Sequence, residues 1–337
     1  MDDVIDRESL RTGFIKSKYM SKEVLDSNIV IDAVRVTEAA AISAARLIGR
    51  GDENAADQVA VDAMRRSLGK MNIDGTIVIG EGERDKAPML YVGEKVGTGH
   101  GPKVDIALDP LEGTTICATA GENSLSVIAM TEDGGLLNAP DVYMEKIAVG
   151  IKYKEQIVDL DNSPKTNLLN LAKIKNCDVE DLIVIILQRD RHEELIANVR
   201  EAGARVKLIH DGDVAAVIGT ALGDADMYVG IGGAPEGVLA AAALSTTGGQ
   251  MMGRLLFDSE EQKTRAKLLG INDFNRKYLV RDMAKGEDVM FAATGVTDGN
   301  MVRGIRVEEG KHIRTNSVAM SSKYKTIRYI KTLHPIE

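Results

Sequence analysis

Three times in this chain a turn brings glycine and carboxylates together: GEGER at 80–84, DPLEGT at 109–114 and GGAPEG at 232–237. Glycine at such points lets the backbone bend, or approach a ligand, where a side chain would obstruct it. The apolar runs Thr76 to Ile79 and Val104 to Leu108 lead straight into the first two turns and read as strands. Both acidic turns are thereby expected at strand exits, and the chain must fold so that sheet ends carry its charge.

The surrounding pattern predicts helices over about Ile31 to Ile48, stopped by Gly49-Arg50-Gly51, and over Asn54 to Met71, with Asp57 in the first turn of the second. Asn123 to Met130 is a further strand, and Lys146 to Tyr153 with Ile157 to Leu160 a hairpin. This half, 30–165, is expected to form a mixed or antiparallel sheet under two helices that carries GEGER and DPLEGT. From 166 to 337 the rhythm changes. Helices at 168–174, 191–201, 214–219 and 235–245 alternate with strands at 182–187, 206–209 and 226–229, which argues for a parallel layer. After a helix at 260–270, strands at 289–294, 301–307, 313–320 and 326–332 are expected to complete this second sheet. Residues 1–29 read as an N-terminal arm. The fold class is α/β with mixed α+β layers.

Charge and composition exclude several functions. The 51 Asp and Glu outnumber 42 Lys and Arg, for a formal net charge of -9, and no basic block offers a nucleic-acid surface. Leu182 to Leu187 is too short to span a bilayer, so no membrane partner is expected. Only two cysteines and an N-terminus without a secretory pattern point to a reducing, cytoplasmic setting. Gly230-Ile231-Gly232-Gly233 does not complete a dinucleotide loop, and no GxxxxGK[ST] is present. Cys117 lacks the arginine and glycine loop that would cradle phosphate around a thiolate.

The acids themselves suggest chemistry. Asp109 and Glu112 stand three residues apart at a strand end, where a turn can aim both at one cation with the Leu111 carbonyl. Glu81 follows the neighbouring strand, with Glu83 as a secondary ligand, while Asp57 and Glu236 each belong to a helix start. Such oxygen donors suit Mg2+ or Mn2+, whereas the five histidines form no zinc spacing. Thr114 could hold the attacking water with Asp85 as its helper, and the Gly113 and Thr114 amides could hold phosphate. Either loop alone is equally a solvated surface turn; their joint placement favours a metal site.

Arg189 and Arg191 could clamp a second phosphate and His192 donate to it, or the segment is a surface helix cap. Asp211 and Asp213 could bind sugar hydroxyls, or Asp213 caps the next helix. Tyr143 is a ligand contact or a packing residue, and Lys146 could add positive charge.

NAADQVAV at 54–61, DGTIVIGEGERDKAPMLYVGEKVG at 74–97, DPLEGT, NAPDVYMEK at 138–146, DGDVAA at 211–216 and YVGIGGAPEGV at 228–238 occur in one order. Over about residues 30–334 the chain resembles the bacterial class II fructose-1,6-bisphosphatases, within the lithium-sensitive, metal-dependent phosphatase superfamily. The resemblance implies a layered α/β/α/β/α fold with two sheets. It implies Mn2+ or Mg2+ on Asp57, Glu81, Asp109, Glu112 and Glu236, and water activation by Thr114 with Asp85. Substrate contacts would come from Glu112, Gly113, Thr114, Tyr143, Arg189, Arg191, His192, Asp211, Asp213 and Gly233. The implied reaction converts fructose 1,6-bisphosphate and water to fructose 6-phosphate and phosphate, a gluconeogenic step, in a homodimer or homotetramer. Photosynthetic relatives that also cleave sedoheptulose 1,7-bisphosphate carry a longer insertion before DPxEGT, whose absence argues against that second sugar. An inositol-phosphate phosphatase and a non-catalytic sugar-phosphate-binding protein are the alternatives.

Overall fold

The computed structural model describes residues 27–82, 89–150, 156–308 and 310–336, with side chains from Ile29 onward. Helices α1 (Ser27–Ala45) and α2 (Glu53–Leu68) lead into β1 (Asp74–Ile79), β2 (Lys95–Val96), β3 (Lys103–Glu112), the single-turn α3 (Thr114–Ala118), β4 (Leu125–Glu132) and β5 (Tyr143–Val149). Then follow α4 (Pro164–Lys175), β6 (Ile183–Leu187), α5 (Glu193–Glu201), β7 (Arg205–Ile209), α6 (Asp213–Leu222), β8 (Met227–Gly233), α7 (Ala234–Thr247), β9 (Gln250–Leu256) and α8 (Glu260–Leu268). The chain closes with β10 (Lys277–Leu279), α9 (Val280–Met283), β11 (Met290–Gly295), β12 (Arg306–Glu308), β13 (His312–Ser321) and β14 (Thr326–Pro335).

Two sheets result. The first runs β12-β13-β11-β4-β3-β1-β2, with β14 also on β13; the second runs β10-β9-β5-β8-β6-β7. Alternation along the strands assigns each face. Ile106, Leu108, Ile128, Met130, Met290 and Ala292 pack with α1 and α2, whereas Ala107, Val127, Ala129, Phe291 and Ala293 turn toward α6 and α7. In the second sheet Met144 and Ala148 meet those same central helices, while Ile147, Val149, Val184 and Ile186 pack with α4 and α5. The layers are therefore α/β/α/β/α. Helix α7 explains the middle one: Ala240 to Ala243 are buried in succession, because a helix between two sheets has no side left for solvent.

Several expectations change. The closing strands β11, β12, β13 and β14 belong to the first sheet and not the second. Antiparallel pairing of β11 with β4 admits them, and buried hydroxyls seal the join: Thr37 of α1 meets Thr294 at 2.7 Å, and Thr294 meets Ser317 at 2.8 Å. Strand β5 is not half of a local hairpin but lies between β8 and β9 in the second sheet; 157–160 form no strand, and 151–155 lie outside the described residues. Only β6, β7 and β8 are parallel in that sheet. The 301–307 strand shortens to β12, and β9 and β10 were not expected. No helix among the described residues is long and apolar enough to cross a membrane.

Candidate active site

A cavity of about 580 Å³ opens where the first sheet meets the central helices, and its wall contains Asp57, Glu81, Asp109, Glu112, Asp211 and Glu236. These acids, separated by up to 179 residues, are collected by α2, β3 and α7 and by the loops after β1 and β7. Asp57 faces it from α2, whose N-cap Asp52 accepts from the Ala55 amide at 2.9 Å. Glu81 leaves the end of β1, where its amide donates to the Leu90 carbonyl at 3.0 Å.

Strand β3 does not stop before DPLEGT as expected but continues through Glu112. Between Asp109, opposite Val127, and Glu112, opposite Leu125, the register slips by one residue. That bulge re-aims the strand end, and the Leu111 amide donates to Asp109 Oδ1 at 2.9 Å. Gly113 then takes φ +77°, a left-handed conformation that costs glycine little, and starts α3 at Thr114. Glu112 is buried, and its Oε1 accepts from the Val214 amide of α6 at 3.1 Å.

Burial dominates the charge state of this group. It lifts Glu81 to about 9, with Asp109 and Asp57 adding repulsion, Asp109 to about 6 and Glu236 to about 7. Glu112 is raised well above its ordinary carboxylate value, first by burial and then by its neighbours Asp109, Asp213 and Glu236. Asp57 and Asp211 are also pushed up by burial. Such acids hold protons in the bare protein and give them up to a cation.

The donor chemistry fits a hard divalent ion: the cavity wall offers carboxylate oxygens, and Glu236 Oε2 is buried without a hydrogen-bond partner. Among the described residues no three acids, histidines or cysteines are yet drawn into a closed ligand group. Gly233 serves this arrangement by being small: a Cβ there would lie 1.8 Å from Glu236 Oε2.

The remaining expected residues divide. Gly113, Thr114 and Asp211 line the cavity; Tyr143, Arg189, Arg191, His192, Asp213 and Gly233 do not. Tyr143 is 48% exposed and pairs with Gly233 across β5 and β8, with the Arg191 guanidinium 4.9 Å above its ring, so these three form an adjoining rim. Arg191 also donates to the Ile231 carbonyl at 2.7 Å, and exposed Arg189 bears electrostatically on Asp211. His192 is 1% exposed, with Nδ1 on the Leu187 carbonyl at 2.7 Å and Nε2 accepting from the Ile231 amide at 2.8 Å. Both ring nitrogens are spent on backbone, so His192 joins β6 to β8 and offers nothing to a phosphate. Asp213 is likewise buried, its Oδ2 taken by Lys146 and Tyr228. Asp85 and Glu83 lie outside the described residues.

Asn138, Asp141, Leu239, Arg265 and Leu268 complete the cavity wall without having been singled out. Asn138 and Asp141 flank Ala139-Pro140 in a motif where Tyr143 and Lys146 drew notice. Arg265 sits on a strongly polar helix with no local signal of its destination.

A five-layer α/β/α/β/α fold with carboxylates at the exits of β1 and β3 and at the start of α7 defines the sugar-phosphatase class. Within that class, the chain belongs to the bacterial fructose-1,6-bisphosphatase family, glpX-encoded, whose model matches residues 27–334. Relatives named D-fructose 1,6-bisphosphatase class 2/sedoheptulose 1,7-bisphosphatase are 42% identical in Synechococcus sp. (strain JA-3-3Ab), covering 92% of this chain and 96% of that protein. The one from Crocosphaera subtropica is 43% identical over 92% and 97%. Among solved structures, the extragenic suppressor protein suhB from Bartonella henselae has a TM-score of 0.32 at 16% identity, over 58% of this chain and 73% of that one.

Proposed function

We propose that this chain hydrolyses fructose 1,6-bisphosphate to fructose 6-phosphate and phosphate, as a cytoplasmic homo-oligomeric enzyme of gluconeogenesis. The observation that carries the reading is the convergence of Asp57, Glu81, Asp109, Glu112 and Glu236 on one cavity in a chain of this family. Those five would hold Mn2+ or Mg2+, which when bound polarises a phosphate and makes water more acidic. Thr114, on the same wall, orients the attacking water, with Asp85 assisting. The Gly113 and Thr114 amides face the phosphate as the water oxygen bonds to phosphorus, the ester bond breaks, and the proton released by the water ends on the departing sugar oxygen. Arg191 and Tyr143 on the rim, with Arg189 beside Asp211, hold the phosphate that stays, and Asp211 takes a sugar hydroxyl.

Relatives whose names include sedoheptulose 1,7-bisphosphatase align over nearly their whole length, which favours that sugar as a second substrate. Phosphate release from fructose 1,6-bisphosphate, sedoheptulose 1,7-bisphosphate and inositol 1-phosphate, each with Mg2+, Mn2+ or chelator, tests the proposal. Metal-dependent release is expected first from fructose 1,6-bisphosphate. Preference for inositol 1-phosphate would replace the substrate, and no release from any would leave a binding protein.

A further inference from the structure

Lys146 carries a charge that the proposed reaction leaves unused. It lies on β5 with the parity of Met144 and Ala148, and so on the face turned toward the central helices. It is 1% exposed, and an ammonium there is strongly disfavoured unless paired. Its Nζ donates to Asp213 Oδ2 at 2.5 Å and to the Gly233 carbonyl at 2.9 Å, and the Tyr228 hydroxyl donates to the same Asp213 oxygen at 3.2 Å. A Cβ on Gly232 would stand 2.1 Å from Asp213 Oδ2 and 2.9 Å from Nζ, so the pair is packed against bare backbone.

Both partners of Lys146 begin elements of the cavity wall. Asp213 opens α6, whose next amide holds Glu112; Gly233 precedes α7, which presents Glu236. Neither Lys146 nor Asp213 lines the cavity.

We infer that Lys146 is a positioning residue: by neutralising Asp213 and holding Gly233 it withholds Asp213 from the cation site, leaving Glu112 and Glu236 as the carboxylates that face the cavity. The inference rests on the metal-dependent reading above. It differs from a purely structural role in what removal does, because an uncompensated Asp213 becomes a competing ligand beside Glu112.

The test uses the full chain with Lys146→Met and the double variant Lys146→Met/Asp213→Asn, following Mn2+ binding by calorimetry separately from fructose 1,6-bisphosphate hydrolysis. Lys146→Met is expected to bind Mn2+ at least as tightly as the parent while kcat falls roughly 10- to 100-fold, the range typical of residues that orient metal ligands. Asp213→Asn in the same chain removes the competing charge and is expected to recover most of that kcat. Weaker Mn2+ binding in Lys146→Met, or unchanged kcat, overturns the inference. Should the single variant not fold, the double variant decides: kcat near the parent supports the inference, and kcat at least about tenfold below the parent overturns it. A parent without phosphatase activity sinks the proposed reaction alone, since tighter or weaker Mn2+ binding still decides the role of Lys146.

Discussion

Thr114 and Gly233 show how much single side chains, or their absence, matter at this cavity. If the Thr114 hydroxyl orients water, Thr114→Ala lowers kcat by roughly 100-fold with little change in KM, the penalty typical of a misplaced reacting group, while Thr114→Ser keeps part of the rate. Steady-state kinetics of both variants check this, and an alanine variant with parental kcat removes the role. Gly233 has an ordinary φ of -66°, so it is needed for space rather than conformation. A methyl group 1.8 Å from Glu236 Oε2 displaces a flexible carboxyl tip more easily than backbone. Gly233→Ala is therefore expected to cost only about 1 kcal/mol of stability while clearly weakening Mn2+ binding, measured by urea unfolding and calorimetry side by side. Unaltered Mn2+ affinity would place Glu236 away from the ion.

At the scale of elements, the central layer is set by small residues. Ala240 to Ala243 of α7 are all buried in the layer between the two sheets, where only small side chains let the helix backbone approach its neighbours closely. Ala242→Leu adds three carbons to a filled interface and is expected to destabilise by about 1–3 kcal/mol or more, whereas Leu169→Ala on the outer face of α4, half exposed, stays within about 0.5 kcal/mol. Urea midpoints compare the two, and equal shifts would contradict the sandwiched packing. Pairing of the closing strands also belongs to this scale. Strand β14 covers β13 from His312 to Ser321, and Thr315 on that strand donates to Glu38 of α1 at 2.7 Å, so the last strands brace the first helix from across the sheet.

For the molecule as a whole, the buried acids couple folding to pH. Glu81 at about 9, Glu236 at about 7 and Asp109 at about 6 all lie above their values in an unfolded chain, near 4. Between those limits the folded state binds more protons, so these groups contribute stability that is full at low pH and fades as pH rises through the folded values. Chelated protein is expected to lose urea resistance from about pH 5 to about pH 9, and Mn2+ to flatten that loss by taking the place of the protons. Urea midpoints in chelator that rise over this range would show that the acids do not share a buried site.

Local chemistry in the chain was enough to determine most helices and strands and the placement of acids at strand exits. Apolar periodicity, capping glycines and Pro235 act between near neighbours, and the order of the DPLEGT, NAPDVYMEK and GGAPEG motifs carried the family. Partnership across the fold was not local. That β11 to β14 join the first sheet depends on which edge was open and on contacts such as Thr37 with Thr294, 257 residues apart. The fate of His192 and Asp213 was equally hidden. A histidine or aspartate after a strand looks the same in sequence whether it faces a ligand or backbone, and only the folded chain brought Ile231 to the imidazole and Lys146 to the carboxylate.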